Sequence, residues 1–124
     1  MGELTFTYRL TSQSVLAYAR ALDMPLSSHS GRWIAPPTMP VVFWNIIDAP
    51  WLRPDNSYLH GRQSFVYAKP LLADSTLDCV LILTHSEQKK GRSGPLTLYT
   101  HLMTCKCEGE HILSAETVLI HLNN

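Results

Sequence analysis

Between Asp23 and Arg32 the chain reads Asp-Met-Pro-Leu-Ser-Ser-His-Ser-Gly-Arg, a loop of small polar residues that holds one carboxylate and one imidazole. Brought within hydrogen-bond reach of each other, such groups can take a proton from water and deliver one to a neighbouring carbon, so Asp23 and His29 are the candidate catalytic pair. The plainer account of the same residues has Asp23 closing a helix in a turn and His29 solvated. Of the remaining histidines, His85, His101, His111 and His121 fall on separate expected strands without the helical spacing of a metal pair, and no metal is expected. Cys79, Cys105 and Cys107 are odd in number and lack a second metal-type pair, which points to reduced structural thiols. Arg62, Lys69, Lys89, Lys90 and Arg92 have the chemistry to meet phosphates, although solvation of the surface is the ordinary explanation for all five.

The elements that must hold these residues follow from apolar spacing. Leu4, Phe6, Tyr8 and Leu10 alternate with Thr5, Thr7 and Arg9, which predicts a strand with one buried face. Thr11 or Ser12 caps a helix carrying Val15, Leu16, Ala19 and Leu22 on one side. In Ile34 to Asp48, the residues Met39, Val42, Phe43, Ile46 and Ile47 recur at helical spacing. Thr38 is placed to cap this segment and Pro40 to sit in its first turn, which predicts a central helix of three or four turns. Strands are expected over Tyr58 to Ala68, with Gly61 marking a bulge, and over Thr76 to His85, Leu96 to Cys107 and His111 to Leu122. Gln88 to Gly94 is expected to form a long polar hairpin tip, and Glu108-Gly109-Glu110 a tight turn. One apolar helix beside several long strands makes an α+β domain in which a curved antiparallel sheet wraps around one central helix.

Size and charge bound the rest. At 124 residues the chain is expected to be a single domain spanning 1–124. Ten basic residues balance ten acidic ones, which argues against nucleic-acid or anionic-membrane partners. No charged leader with an apolar stretch opens the sequence and no apolar run approaches about 18 residues, so a cytoplasmic protein is expected. Zero net charge and a sheet with open edges favour an oligomer.

Three segments carry a family resemblance. They are Ile34-Ala-Pro-Pro-Thr-Met-Pro40 opening the central helix, Leu59-His-Gly-Arg-Gln-Ser-Phe65 opening the next strand, and Lys69-Pro70 with Ala73-Asp-Ser-Thr-Leu77 after it. In order and spacing they resemble the MaoC-like hydratase and dehydratase superfamily of the hot-dog fold, closest to its amino-terminal, fungal-fatty-acid-synthase-type dehydratase half. The resemblance implies hydration of trans-2-enoyl thioesters, or dehydration of (R)-3-hydroxyacyl thioesters, carried by coenzyme A or acyl carrier protein, with no cofactor.

In catalytic members the Asp and His lie in a Gly-Asp-x-Asn-Pro-x-His segment, and an N–H at the start of the hot-dog helix holds the thioester oxygen. Here Leu22-Asp-Met-Pro-Leu-Ser-Ser-His29 aligns Asp23 and Pro25, lacks the Asn, and puts Ser27 in register with the catalytic His. Pro36-Pro37-Thr38 stands where catalytic halves place His-Gly. Non-catalytic halves look like this sequence, so the resemblance implies a homodimer or a heterodimer with a second hot-dog subunit. It implies pocket-lining roles for Pro37, Thr38, Met39, His60, Gln63 and Tyr67, while His60, Gln63 and Tyr67 are equally placed to complete the sheet. Two alternatives remain. One is a non-catalytic thioester-binding or scaffolding hot-dog, and the other is an acyl-CoA thioesterase, for which Asp48 is the sole carboxylate near the central helix.

Overall fold

The computed structural model describes residues 2–123. The elements are β1 (Glu3–Leu10), α1 (Ser12–Ala21), the short β2 (Ser28–His29) and β3 (Arg32–Trp33), and a central 3-10 helix (Met39–Asn45). Four long strands follow: β4 (Leu59–Tyr67), β5 (Ser75–Gly91), β6 (Gly94–Cys107) and β7 (Glu110–Leu122). Five strands form one antiparallel sheet in the order β1-β5-β6-β7-β4, and β2 pairs with β3 apart from it. This is the hot-dog arrangement, with β1 and β4 at the free edges. Among the described residues no helix is long and apolar enough to cross a membrane.

Local chemistry explains most of the boundaries. Thr11 sits in extended backbone (φ −94, ψ 154) and its hydroxyl accepts the Ser14 N–H, so it is the cap of α1. The Asp74 carboxylate accepts both the N–H and the hydroxyl of Ser12, which ties the turn before β5 to the start of α1. Those bonds hold the Asp74 carboxyl below the usual carboxylate range. Glu108 and Gly109 both adopt left-handed backbone (φ 50 and 81), the pair of conformations that a two-residue hairpin turn needs to match strand twist. The pairing of β4 with β7 shifts register between His60 and Arg62, and a side chain at Gly61 would collide with that of Ile120. The bulge expected at Gly61 is therefore present, and glycine allows the close approach.

The central helix differs from expectation. It is a 3-10 helix of seven residues, with Met39, Pro40 and Phe43 buried against the sheet. Ile46 and Ile47 lie beyond its end, and Ile46 is 54% exposed. Pro40 and the β-branched pairs at 41–42 and 46–47 weaken α propensity, and the tighter 3-10 path ends before a third turn. Thr38 is in helical rather than extended backbone (φ −90, ψ −4) and makes no cap bond. Its hydroxyl shares a 2.8 Å hydrogen bond with that of Tyr18 instead.

The expected polar hairpin tip also shrinks. β5 and β6 stay paired to Gly91 and Gly94, leaving Arg92 and Ser93 as the turn. Long β5 and β6 are possible because an antiparallel ribbon accepts exposed Gln and Lys on its outer reach.

The core joins Leu10 and Val15 to Met39, Phe43, Leu71, Leu77, Leu81 and Leu113. The Phe43 ring stacks on Tyr8 with centroids 4.0 Å apart. On β6 the inward face is the mixed one, carrying His101, Met103 and Cys105, whereas Leu102 on the other face is 36% exposed. Of the α1 stripe, Val15 and Ala19 are buried, while Leu16 and Leu22 are 37% and 48% exposed.

Candidate functional site

The start of the central helix is built from prolines, so few amides are available there. Pro36, Pro37 and Pro40 have no N–H, that of Ala35 is given to Leu71 and that of Met39 to Pro36. Among the described residues the Thr38 N–H meets no backbone acceptor, which leaves it as a donor at this mouth. The Tyr67 hydroxyl, arriving from the end of β4, donates to the Pro37 carbonyl at 2.8 Å. Beside this bond lies an open hollow of about 410 Å³ lined by Ile34, Ala35, Pro37, Tyr67, Ala68 and Leu71, with Lys69 and Pro70 at its border.

Burial pushes the Tyr67 phenol far above its ordinary range, so it is a neutral donor and not a base. Tyr67→Phe removes that donor from the Pro37 carbonyl, and a loss of about 1 kcal/mol of stability in urea unfolding is expected.

Lys69, Pro70 and Leu71 also border a second hollow, of about 220 Å³, on which His29, Arg32, Ser75, Cys107 and Glu110 open. Lys69 pairs with Glu110 across it. Arg32 is held by the Ala73 carbonyl at 2.8 Å and the Ser75 hydroxyl at 2.9 Å. His29 is exposed on the β2–β3 hairpin, and Asp23 is exposed in left-handed backbone (φ 52) just after α1. No ion pair or hydrogen bond joins Asp23 to His29 among the described residues.

The remaining predicted pocket residues are dispersed. Met39 is 1% exposed and belongs to the core. His60 lies edge-on to Trp44, centroids 6.3 Å apart, in a cleft near the far end of the central helix with Asp48, Arg53, Asn56 and Tyr58. The amide oxygen of Gln63 accepts the Thr117 hydroxyl at 2.9 Å. Thus Pro37 and Tyr67 meet directly and Thr38 adjoins them, while His29 opens on a different hollow and His60 and Gln63 serve the sheet and the far cleft.

Sequence reasoning missed the burial of His101. It is fully buried, and its Nε2 accepts the Trp51 indole N–H at 2.9 Å. An indole nitrogen can only donate, so the imidazole carries its proton on Nδ1. Nδ1 meets no acceptor at hydrogen-bond geometry. Trp44 packs edge-on against the ring at 4.9 Å. The signal available in the sequence was its alternation with Met103 and Cys105.

Burial holds His101 below the ordinary imidazole range, partly offset by the backbone of Thr117 and Tyr99. The unfolded chain therefore binds this proton more tightly than the folded one. Its contribution to stability is whole above about pH 6.5 and declines as pH falls from there toward the lowered folded value. Urea midpoints at about pH 7.5 and about pH 5 should differ in that direction, and His101→Leu should reduce the difference.

The FAS1-like, dehydratase domain region profile matches residues 4–115, and the chain belongs to that family. A UPF0336 protein of Thermobifida fusca (strain YX) is 33% identical over 93 residues, which cover 70% of this chain and 59% of that protein. The chain thus matches less than two thirds of that relative's length.

Among solved structures, the HadBC (3R-hydroxyacyl-ACP dehydratase) complex of Mycobacterium tuberculosis superposes with a TM-score of 0.74 at 17% identity, covering 96% of this chain and 94% of that one. The ChsH1-ChsH2 complex from the same organism gives 0.71 at 11%, covering 96% and 83%. The (R)-hydratase of A. caviae gives 0.62 at 13%, covering 95% and 92%. These likenesses show the hot-dog fold.

Proposed function

We propose that this chain is the supporting hot-dog subunit of an (R)-specific enoyl-thioester hydratase or 3-hydroxyacyl-thioester dehydratase, completed by a catalytic hot-dog partner. One observation carries the reading: the hollow at the mouth of the central helix is walled by Ile34, Ala35, Pro37, Tyr67 and Leu71, with no carboxylate or imidazole on it. Hydration of an enoyl thioester needs a group that activates water and one that protonates the adjacent carbon. Asp23 and His29 remain the acid and base that this chain would bring to the reaction if it acted alone, and the lack of a hydrogen bond or ion pair between them among the described residues supports a partner. The Thr38 N–H and the Tyr67 hydroxyl shape a mouth suited to a thioester oxygen and an acyl chain.

The partner's seat on this reading is β4. It is a free edge of the sheet, with Leu59 58% and Val66 69% exposed on it. An open strand edge with exposed apolar residues is a template for another strand. Two structural neighbours, HadBC and ChsH1-ChsH2, are complexes, which supports a partnered chain without bearing on the strand used.

The test is co-expression with a second hot-dog chain that carries the Asp-x-Asn-Pro-x-His segment, sought first in the neighbouring reading frames. A tight complex that hydrates crotonyl thioester, from two chains of which this one is inert alone, is the expected result. Failure of the two to associate would count against it. A complex that forms and binds acyl thioester without turnover would instead favour the scaffolding alternative, which the same lack of an acid–base pair also supports.

A further inference from the structure

Cys79 on β5 stands directly opposite Cys105 on β6, and both side chains are buried. The Cys79 thiol donates to the Cys105 sulfur with the two sulfurs 3.4 Å apart. Directly opposed residues on antiparallel strands have Cα atoms about 4.5 or about 5.5 Å apart, and both spacings lie in the range a disulfide bridges. A disulfide needs Cβ atoms about 3.5–4.5 Å apart against about 4.5–5.5 Å for opposed residues, so side-chain rotation with a small approach of the two strands closes the remaining gap between the sulfurs. We propose that Cys79 and Cys105 are a covalent modification site, a thiol pair that closes to an intramolecular disulfide by exchange with a small-molecule disulfide such as oxidised glutathione.

The exchange balances as two displacements. The Cys79 thiolate, formed when local opening of the core uncovers this buried thiol, attacks one sulfur of the oxidant. One glutathione thiolate leaves and takes a proton. Cys105 then attacks the Cys79 sulfur, and the second glutathione departs with the second proton. Two protein S–H bonds and the oxidant's S–S bond break. One protein S–S bond and two glutathione S–H bonds form, and two electrons pass to the oxidant.

While the chain is closed, the hydrogen bond with Cys79 and burial push the Cys105 thiol up, which keeps it protonated and slow to react. Cys107, half-buried at the edge of the His29 hollow, is the thiol a reagent meets first. Closure would also act on the site already described. Phe6, Cys79, Cys105, Leu113 and Tyr67 form one row across the sheet, so the bridge staples two strands of the row that ends at the Pro37 contact.

The test uses the full chain with Cys107→Ser, equilibrated in a glutathione buffer of equal reduced and oxidised concentrations, quenched with an alkylating agent and weighed intact. Because burial slows exchange, a second sample is unfolded in urea and refolded in the same buffer. The expected end-point of both is a majority species lighter by two hydrogens, with neither cysteine alkylated and a peptide linking 79 to 105. Its Tm should lie on the order of 10 °C above that of the reduced protein. Adding Cys79→Ser should abolish the species. The proposal is overturned if both samples keep two alkylatable thiols, if they hold glutathione in mixed disulfides instead, or if the bridge forms equally in chain kept unfolded.

Discussion

Phe43→Ala is expected to remove about 3–5 kcal/mol of folding stability, the range for deleting a buried ring from a packed core. The ring is fully buried at the centre of the 3-10 helix and stacks on Tyr8 of β1 at 4.0 Å. Its loss would take away both the transfer energy and the aromatic contact, and the neighbouring Met39 is already committed to the core. Against a total of about 5–15 kcal/mol for an ordinary domain, that is a large share. Urea or thermal unfolding reads it directly, and Phe43→Leu, which keeps most of the volume, should cost far less. A loss below about 1 kcal/mol for the alanine variant would mean that the helix is not seated on the sheet as described.

Val66→Lys should have the largest effect on assembly and little on the chain itself. Val66 is 69% exposed on the outermost strand, so in the isolated subunit a lysine there meets water and changes stability by less than about 0.5 kcal/mol. With a partner strand laid along β4, the same charge would be held beside an apolar contact without a counter-ion. A loss of about 3–5 kcal/mol in association, some hundred- to several-thousand-fold in Kd, is expected from sedimentation or calorimetric titration with the proposed catalytic partner. Undiminished association would move the partner's seat away from this edge.

How far the fold could be read ahead depended on which physical signal each segment carried. Strands β1, β4 and β7 and helix α1 announce themselves through period-two or capped helical patterns, and each lies within a residue or two of its expectation. The Gly61 bulge and the Glu108-Gly109 turn were legible because glycine marks where backbone must approach or turn left-handed. The central segment was legible as apolar and helical but not as 3-10. Apolar residues three and four apart fit an α-helix and equally a short 3-10 turn followed by an irregular stretch, and only packing against the sheet decides. That is why Ile46, assigned to the stripe, faces solvent.

The site was less legible than the fold because its residues come from distant parts of the chain. Tyr67 and Pro37 are 30 positions apart and meet through a single hydrogen bond that no local pattern announces. His101 reads as one more strand histidine until Trp51, 50 positions away in the sequence, is found donating to it. The separation of His29 from the helix mouth is likewise tertiary, set by the Lys69-Pro70-Leu71 segment that borders both hollows.

The most direct measurement of the central claim is the rate of crotonyl-thioester hydration by the purified chain alone, set beside its His29→Ala and Asp23→Asn variants in the reconstituted complex. A rate near the uncatalysed background is expected for the chain alone, and complexes of both variants should work within about two-fold of the parent if the acid and base come from the other subunit, as proposed. Robust turnover by the homomer, abolished by His29→Ala, would contradict that claim.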